Sequence, residues 1–89
     1  MNDKTTTVVH CKKAPFDIYI GRPSVWGNPF KIGRDGTRSG VIEKFETYAR
    51  HNPIIQARLH ELQGKTLGCW CKPLTCHGDV YIKLLNERR

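Results

Sequence analysis

The residue types that can do chemistry are concentrated in one short segment, GCWCKPLTCHGDVY at positions 68–81. It contains three of the four cysteines and one of the four histidines. A thiol beside an imidazole at the start of a helix is a candidate nucleophile, because the helix dipole and nearby positive charge favour the thiolate. Cys71 or Cys76 could act in this way. This segment is therefore the predicted location of the functional site.

An anion-binding site at the same segment would need no reactive sulfur. Free backbone N–H groups at the start of the last helix could bind an anion, with His77 donating a proton or hydrogen bond. Asp79 could then orient a sugar hydroxyl or act as a base. The candidate catalytic residues are His77, Asp79 and Cys76, and the candidate ligand-binding residues are Cys71 and Gly78. The structural alternatives are small core roles for the cysteines and stabilisation of the helix dipole by Asp79.

The segment also contains a possible zinc-ligand set, Cys69, Cys71, Cys76 and His77. These four could form a closed Cys3His site, or a subset could leave a position for water. The spacing is unlike that of standard zinc fingers, since sulfurs two residues apart on a strand lie about 7 Å from each other. We expect no cofactor, and zinc is the alternative. Strand alternation places Trp70 opposite the cysteines and predicts that it is a core residue.

A second motif, GRPSVWGNPF at positions 21–30, follows a short predicted strand. Arg22 could bind a phosphate with two hydrogen bonds, and Ser24 together with backbone N–H groups could complete an anion-binding site. Trp26 could stack on a nucleobase, or it could instead plug a small core. The candidate ligand-binding residues of this loop are Arg22, Ser24, Trp26, Gly27 and Asn28.

Hydropathy patterns and turn residues predict the element order β-β-α-α-β-α. The predicted elements are strands at 5–11 and 17–20, helices at 41–49 and 53–64, a strand at 66–71 and a helix at 76–86. Ser39 is the predicted cap of the first helix, and Asn52 is the predicted cap of the second. The fold class is therefore α/β, a small single domain over residues 1–89 whose short, mainly parallel sheet is covered by helices. It is Rossmann-like by analogy, and open sheets of this class bind ligands at strand ends.

Charge and composition favour an anionic partner. Fifteen Lys and Arg against eight Asp and Glu give a net charge of +7, spread from Lys4 to Arg89. Nucleic acid, nucleotides and acidic protein surfaces all satisfy that charge. No apolar run approaches the roughly 18 residues of a membrane span, and residues 1–7 are polar, so we expect a cytoplasmic protein with no membrane partner. In that reducing compartment the cysteines should be thiols, thiolates or metal ligands.

Together the two motifs, at positions 19–30 and 68–80, resemble a family of small phage and bacterial proteins catalogued as a domain of unknown function. The resemblance spans nearly the whole chain. It implies a phage or bacterial cytosolic protein, in the host cytoplasm if phage-encoded, and it implies that the two motifs belong to one site. The family supplies no activity.

The leading functional hypothesis is a site for a nucleotide or related phosphorylated ligand, formed by the 21–30 loop and the 71–79 turn. Spacing alone does not fix an acid/base pair or a nucleophile, so binding and processing both stay open. One alternative is a basic nucleic-acid-binding module, with or without zinc, that would contact phosphates through Lys12, Lys13, Lys31, Arg34, Arg38, Lys72, Arg88 and Arg89. Another alternative is a phage inhibitor of a host protein.

Overall fold

The computed structural model describes residues 5–72, 74 and 76–88. Its elements in chain order are β1 (Thr7–His10), β2 (Ile18–Tyr19), α1 (Arg38–His51), α2 (Pro53–Arg58), a 3-10 turn (Leu59–Leu62), β3 (Thr66–Cys69) and α3 (Gly78–Glu87). This order agrees with the predicted β-β-α-α-β-α arrangement and confirms the small α/β class. Among the described residues, no helix has the length and apolar character needed to cross a bilayer.

The sheet has three strands in the order β1-β3-β2, and β3 is parallel to both neighbours. Leu67 pairs with Val8 on one side and with Ile18 on the other. Because all three strands run in the same direction, their carboxyl ends meet at one edge. The loop after β2 and the segment after β3 therefore leave the sheet side by side, which brings the two sequence motifs together.

Aromatic packing ties the loop after β2 to the helices. Tyr81 of α3 is fully buried, and its ring meets Phe45 of α1 and Trp26 of the loop edge-on, with centroids 5.3 and 5.4 Å away. The Tyr81 hydroxyl also donates a hydrogen bond of 2.7 Å to the Trp26 carbonyl. This contact satisfies the polar end of a buried phenol and fixes the loop at the same time.

The element boundaries correct several predicted details. Thr37, rather than Ser39, caps α1, since its hydroxyl accepts from the Gly40 N–H at 3.2 Å. Asn52 caps α2 as predicted, accepting from the N–H groups of Ile54 and Ile55. The predicted second helix divides into α2 and the 3-10 turn, and β3 ends at Cys69 instead of residue 71. The last helix begins at Gly78, so Cys76 lies before it and His77 is at its cap position.

Thr6 joins the start of the sheet to the turn before β3. Its side chain is 5% exposed, donates to the Leu62 carbonyl at 3.0 Å and accepts from the Gly64 N–H at 2.8 Å. Thr6→Val keeps the shape but removes the partner of the buried Gly64 N–H, while the Leu62 carbonyl keeps its hydrogen bond from the Lys65 N–H at 3.1 Å. We therefore expect it to lower the free energy of unfolding by about 1–3 kcal/mol. Denaturant titration would measure the change. Thr7→Val, at an exposed hydroxyl one residue away, is the matched control, and an equal loss in both variants would contradict this role.

Candidate functional site

A cavity of about 560 Å³ lies at the carboxyl edge of the sheet, between the ends of β2 and β3 and the first turns of α1. Residues from the loop after β2, from α1 and from the segment after β3 line it: Tyr19, Gly21, Arg22, Asn28, Phe30, Lys31, Ile32, Arg38, Val41, Ile42, Cys69, Trp70, Cys71, Cys76 and His77. Both sequence motifs contribute to this wall, as the predicted shared site requires.

Half of the predicted site residues line the cavity, namely Arg22, Asn28, Cys71, Cys76 and His77. The other half are not among the lining residues, namely Ser24, Trp26, Gly27, Gly78 and Asp79. These residues shape the loop and the helix start that carry the lining residues.

Three of these residues, all in the loop, hold the backbone in place. The Ser24 hydroxyl donates to the Gly21 carbonyl at 2.6 Å, which closes the turn on itself. Gly27 packs against Arg22, where an added Cβ would lie 3.1 Å from the Arg22 Cα. Trp26 is only 4% exposed and belongs to the core, so its ring has no open face on which a base could stack. The sequence left two roles open for Trp26, base stacking and core packing, and in the structure Trp26 packs in the core.

Arg22 and Asn28 position each other at the cavity. One Arg22 Nη1–H donates to the Asn28 carbonyl at 3.0 Å, and this bond uses one of the five N–H donors of the guanidinium. The Asn28 side chain in turn accepts from the Phe30 N–H at 2.9 Å. Arg22 is exposed, so its guanidinium is held by the loop and remains open to solvent.

His77 is buried, with 7% exposure, and links the end of β2 to the start of α3. Its Nε2 lies 2.8 Å from the Ile20 carbonyl oxygen, which can only accept, so Nε2 carries the proton. Burial lowers the pKa of His77, which keeps the ring neutral. The unprotonated Nδ1 lies 3.7 Å from Cys76 Sγ. In this tautomer Nδ1 has no proton to donate, whereas the sequence predicted that His77 donates a proton or hydrogen bond to a ligand.

Asp79 and Gly78 build the start of α3. The Asp79 carboxylate accepts from the Cys76 N–H at 3.1 Å and pairs with the Lys72 ammonium at 3.0 Å. It therefore satisfies an N–H group at the helix start, which is the structural role that the sequence left open for it. Gly78 packs closely on the sheet, where an added Cβ would lie 2.9 Å from side-chain atoms of Ile20 and Val8.

Cys69 and Cys76 form a pair of thiols in the cavity wall. The Cys76 thiol donates to Cys69 Sγ across 2.8 Å, and Cys76 Sγ accepts from the Gly78 N–H at 3.2 Å. The hydrogen bond from Cys76, supported by backbone N–H groups of Cys71 and Lys72, lowers the pKa of Cys69 to about 6 despite burial. The same hydrogen bond and burial raise the pKa of Cys76. The hydrogen bond therefore favours a thiolate at Cys69 and a protonated thiol at Cys76.

This pairing was not apparent from the sequence, which named Cys71 or Cys76 as the nucleophile. Cys69 and Cys76 are seven residues apart on a strand end and a helix start, and that spacing carries no motif. Within the described ranges, no group of three or more His, Cys, Asp or Glu side chains is arranged to hold a metal ion, and the zinc alternative stays a prediction. His77 Nε2, one of the two ring nitrogens that could bind a metal, already donates a hydrogen bond to the Ile20 carbonyl.

Trp70, Tyr19 and Phe30 supply the aromatic surface of the cavity. The prediction that Trp70 lies in the core was wrong: it is 54% exposed, because β3 ends at Cys69 and strand alternation stops there. Its indole N–H donates to the Tyr19 hydroxyl at 2.8 Å, and that hydroxyl donates to the Arg22 carbonyl at 3.2 Å. Lys12 lies over the Trp70 ring, 5.6 Å from its centroid. The sequence had assigned the stacking role to the other tryptophan.

The first turns of α1 supply the lining residues Arg38, Val41 and Ile42. The sequence analysis named Arg38 only for the nucleic-acid alternative and did not assign Val41 and Ile42 to a site. Their spacing of three and four residues places them on one helix face, and this was a usable signal. It predicted a helix packed on the core, and only the position of α1 beside the strand ends turns that face into a cavity wall.

The sequence profile of a family described as "Domain of unknown function (DUF4326)" matches residues 4–87. The chain belongs to this family. It is 39% identical over 85 residues to the "Uncharacterized 12.4 kDa protein in nrdA-td intergenic region" of Enterobacteria phage T4, covering 90% of this chain and 77% of the relative. It is 37% identical over 86 residues to the "Uncharacterized protein R718" of Acanthamoeba polyphaga mimivirus, covering 76% of this chain and 65% of that protein.

No solved structure is significantly similar to the chain. The family match confirms the resemblance to an uncharacterised family, and the two relatives are viral proteins. Neither the family nor the relatives supply an activity, so the chemistry of the cavity has to be argued from its own residues.

The thiol pair gives a pH-dependent prediction. Absorbance near 240 nm, which reports thiolate, should rise in the wild-type protein around pH 6, where Cys69 ionises. Cys76→Ala removes the hydrogen bond that stabilises the Cys69 thiolate, so this rise should move upward by at least about one pH unit. Cys11→Ser, at a thiol outside the cavity, should leave it in place. An unchanged midpoint in Cys76→Ala would show that the pair does not share a proton.

Proposed function

We propose that this protein binds a nucleotide or a related phosphorylated ligand in the sheet-edge cavity. The observation that carries the proposal is one cavity with both cationic and aromatic walls, at the carboxyl ends of parallel strands. Its volume of about 560 Å³ falls within the range of small-molecule sites. Open parallel sheets commonly bind ligands outside these strand ends.

Positive charge at the cavity supports a phosphorylated ligand. Arg22, Lys31 and Arg38 line it, in a chain whose net charge is +7. An arginine guanidinium can give a phosphate two parallel hydrogen bonds, and such charge-assisted bonds are the strong ones. Arg22 suits this role best because the Asn28 carbonyl fixes its orientation from the loop side.

The exposed indole supports a ligand that contains a base. Trp70 lines the cavity, and the Tyr19 hydroxyl orients its ring through the indole N–H. Every nucleobase has a face that can stack on an aromatic ring. Phosphate at Arg22 and a base near Trp70 would together use both kinds of wall.

The same cavity contains groups that could process a bound ligand. Cys69 is the group with nucleophilic character, and His77 Nδ1 is a proton acceptor beside its partner Cys76. Chemistry on the ligand would use these groups rather than Asp79, whose carboxylate is engaged by Lys72 and the Cys76 N–H. Incubation with a panel of nucleotides, followed by product analysis, separates an enzyme from a binder.

Calorimetric titration with nucleoside mono-, di- and triphosphates would test binding directly. Arg22→Ala should weaken affinity about tenfold or more, because it removes a charge-assisted phosphate contact. Arg34→Ala is the matched control, since Arg34 is also exposed but pairs with Asp35 away from the cavity lining. Absence of binding to the whole panel, or equal losses in the two variants, would overturn the proposal. Binding only to longer nucleic acid with a steep salt dependence would favour the nucleic-acid alternative.

The aromatic half of the proposal has its own test. Trp70→Ala should weaken nucleotide binding by about 1–3 kcal/mol while leaving the affinity for pyrophosphate unchanged, because only the nucleotide has a base to stack. Trp70→Phe keeps an aromatic face and should retain most of the affinity. Calorimetry with both ligands measures the difference. Equal losses for nucleotide and pyrophosphate would place the effect of Trp70 on the cavity as a whole rather than on a base.

A further inference from the structure

Ligand binding does not explain why two cysteines face each other in the cavity wall. Cys69 and Cys76 are each 1% exposed, and their sulfurs lie 2.8 Å apart. Both residues line the cavity, so the pair lies beside the space that a small reagent would enter.

The backbone holds both sulfurs in place. Cys69 ends the central strand, and its carbonyl accepts from the Cys11 N–H at 2.8 Å. Cys76 is held by the Asp79 carboxylate on its own N–H and by the Gly78 N–H on its sulfur. The two thiols therefore come from separate, fixed elements, and a bond between them would close only the short segment 70–75.

We propose that Cys69 and Cys76 form a redox-active dithiol that a small hydroperoxide oxidises to a disulfide. The pairing of the two sulfurs and their shared place on the cavity wall carry this assignment. Cys71, which is half-buried on the same wall, and Cys11, which follows β1, are outside the pair.

The oxidation takes place in two steps. The Cys69 thiolate attacks one oxygen of hydrogen peroxide, the O–O bond breaks, and Cys69 sulfenic acid and hydroxide form. The Cys76 sulfur then attacks the Cys69 sulfur, the S–O bond breaks, and the departing oxygen leaves as water with the Cys76 proton. His77 Nδ1 lies 3.7 Å from Cys76 Sγ and can accept that proton before it passes to the leaving oxygen. The dithiol loses two electrons and the peroxide gains them; a dithiol reductant reverses the change by exchange.

Oxidation also changes the charge that a ligand meets. The hydrogen bond from Cys76 favours a thiolate at Cys69 on the cavity wall, whereas the disulfide is neutral, so the oxidised cavity repels an anion less. A phosphorylated ligand should therefore bind severalfold more tightly to the oxidised protein. This consequence rests on the proposed function, whereas the formation of the disulfide does not.

Intact-mass analysis of the full chain tests whether Cys69 and Cys76 form a disulfide on oxidation. A Cys11→Ser/Cys71→Ser variant, which keeps only the pair, should lose the mass of two hydrogens on treatment with one equivalent of hydrogen peroxide and regain it with dithiothreitol. Cys69→Ser and Cys76→Ser in that background should form no intramolecular disulfide, and Cys76→Ser should accumulate a dimedone-reactive sulfenic acid at Cys69. Unchanged mass in the parent variant, or sulfinic acid without a disulfide, would overturn the assignment.

Peptide mapping of the wild-type protein distinguishes the sulfurs when all four cysteines are present. A disulfide-linked peptide that joins Cys69 to Cys76 supports the proposal, and one in which Cys71 replaces either partner rejects it. Circular dichroism of each Ser variant establishes that it is folded before oxidation.

Calorimetry at pH 8 then compares the reduced and oxidised proteins, with pyrophosphate as the probe. Tighter binding by the oxidised form supports the link between the dithiol and the ligand site, and equal or weaker binding rejects that link. If neither form binds any phosphorylated probe, the proposed function fails. The mass and peptide results still show, independently of ligand binding, whether Cys69 and Cys76 form a disulfide.

Discussion

Parallel pairing of β1 and β2 on the two sides of β3 is the constraint on which the rest of this structure depends. It places the carboxyl ends of all three strands at one edge, so the chain leaves β2 and β3 side by side. The loop that begins at Gly21 and the segment that begins at Trp70 then share one cavity, although about 50 residues separate them in sequence. Without that pairing the two motifs would have no common surface.

The His77 side chain secures this arrangement from inside. Its hydrogen bond to the Ile20 carbonyl joins the end of β2 to the start of α3, and its ring meets Phe45 of α1 edge-on with centroids 5.1 Å apart. Burial keeps the imidazole neutral, so His77 adds no positive charge beside the thiol pair. The cavity wall consequently has the positively charged side chains of Arg22, Lys31 and Arg38, together with Cys69, whose pKa the hydrogen bond from Cys76 lowers.

Much of the architecture was predictable because it depends on local rules. The β-branched runs gave the first two strands, and Asn52 followed by Pro53 gave the start of α2. The shorter β3 could not be predicted from the apolar pattern, because Trp70 and Cys71 continue that pattern after the pairing with β1 and β2 has ended. The alternation rule therefore failed for Trp70, which turns outward to the cavity.

The candidate site was predictable in position but not in detail. Arg22, Asn28, Cys71, Cys76 and His77 were named from the motifs and do line the cavity, whereas Trp26 and Asp79 have structural contacts instead. A tryptophan, an aspartate or a cysteine has the same side chain whether it packs, caps or faces a ligand. Which of these it does depends on neighbours that come from distant parts of the chain.

The sequence by itself determined the α/β order, the basic charge, the family and the two motif segments, because periodicity, composition and residue identity are local properties. The tertiary structure alone decided that Cys69 pairs with Cys76, that His77 Nε2 donates to the Ile20 carbonyl, and that Trp70 replaces Trp26 as the exposed indole. The physical reason is that proton sharing, burial and exposure are set by distances between residues. Only the packing of α1, α3 and the loop against the sheet edge fixes those distances.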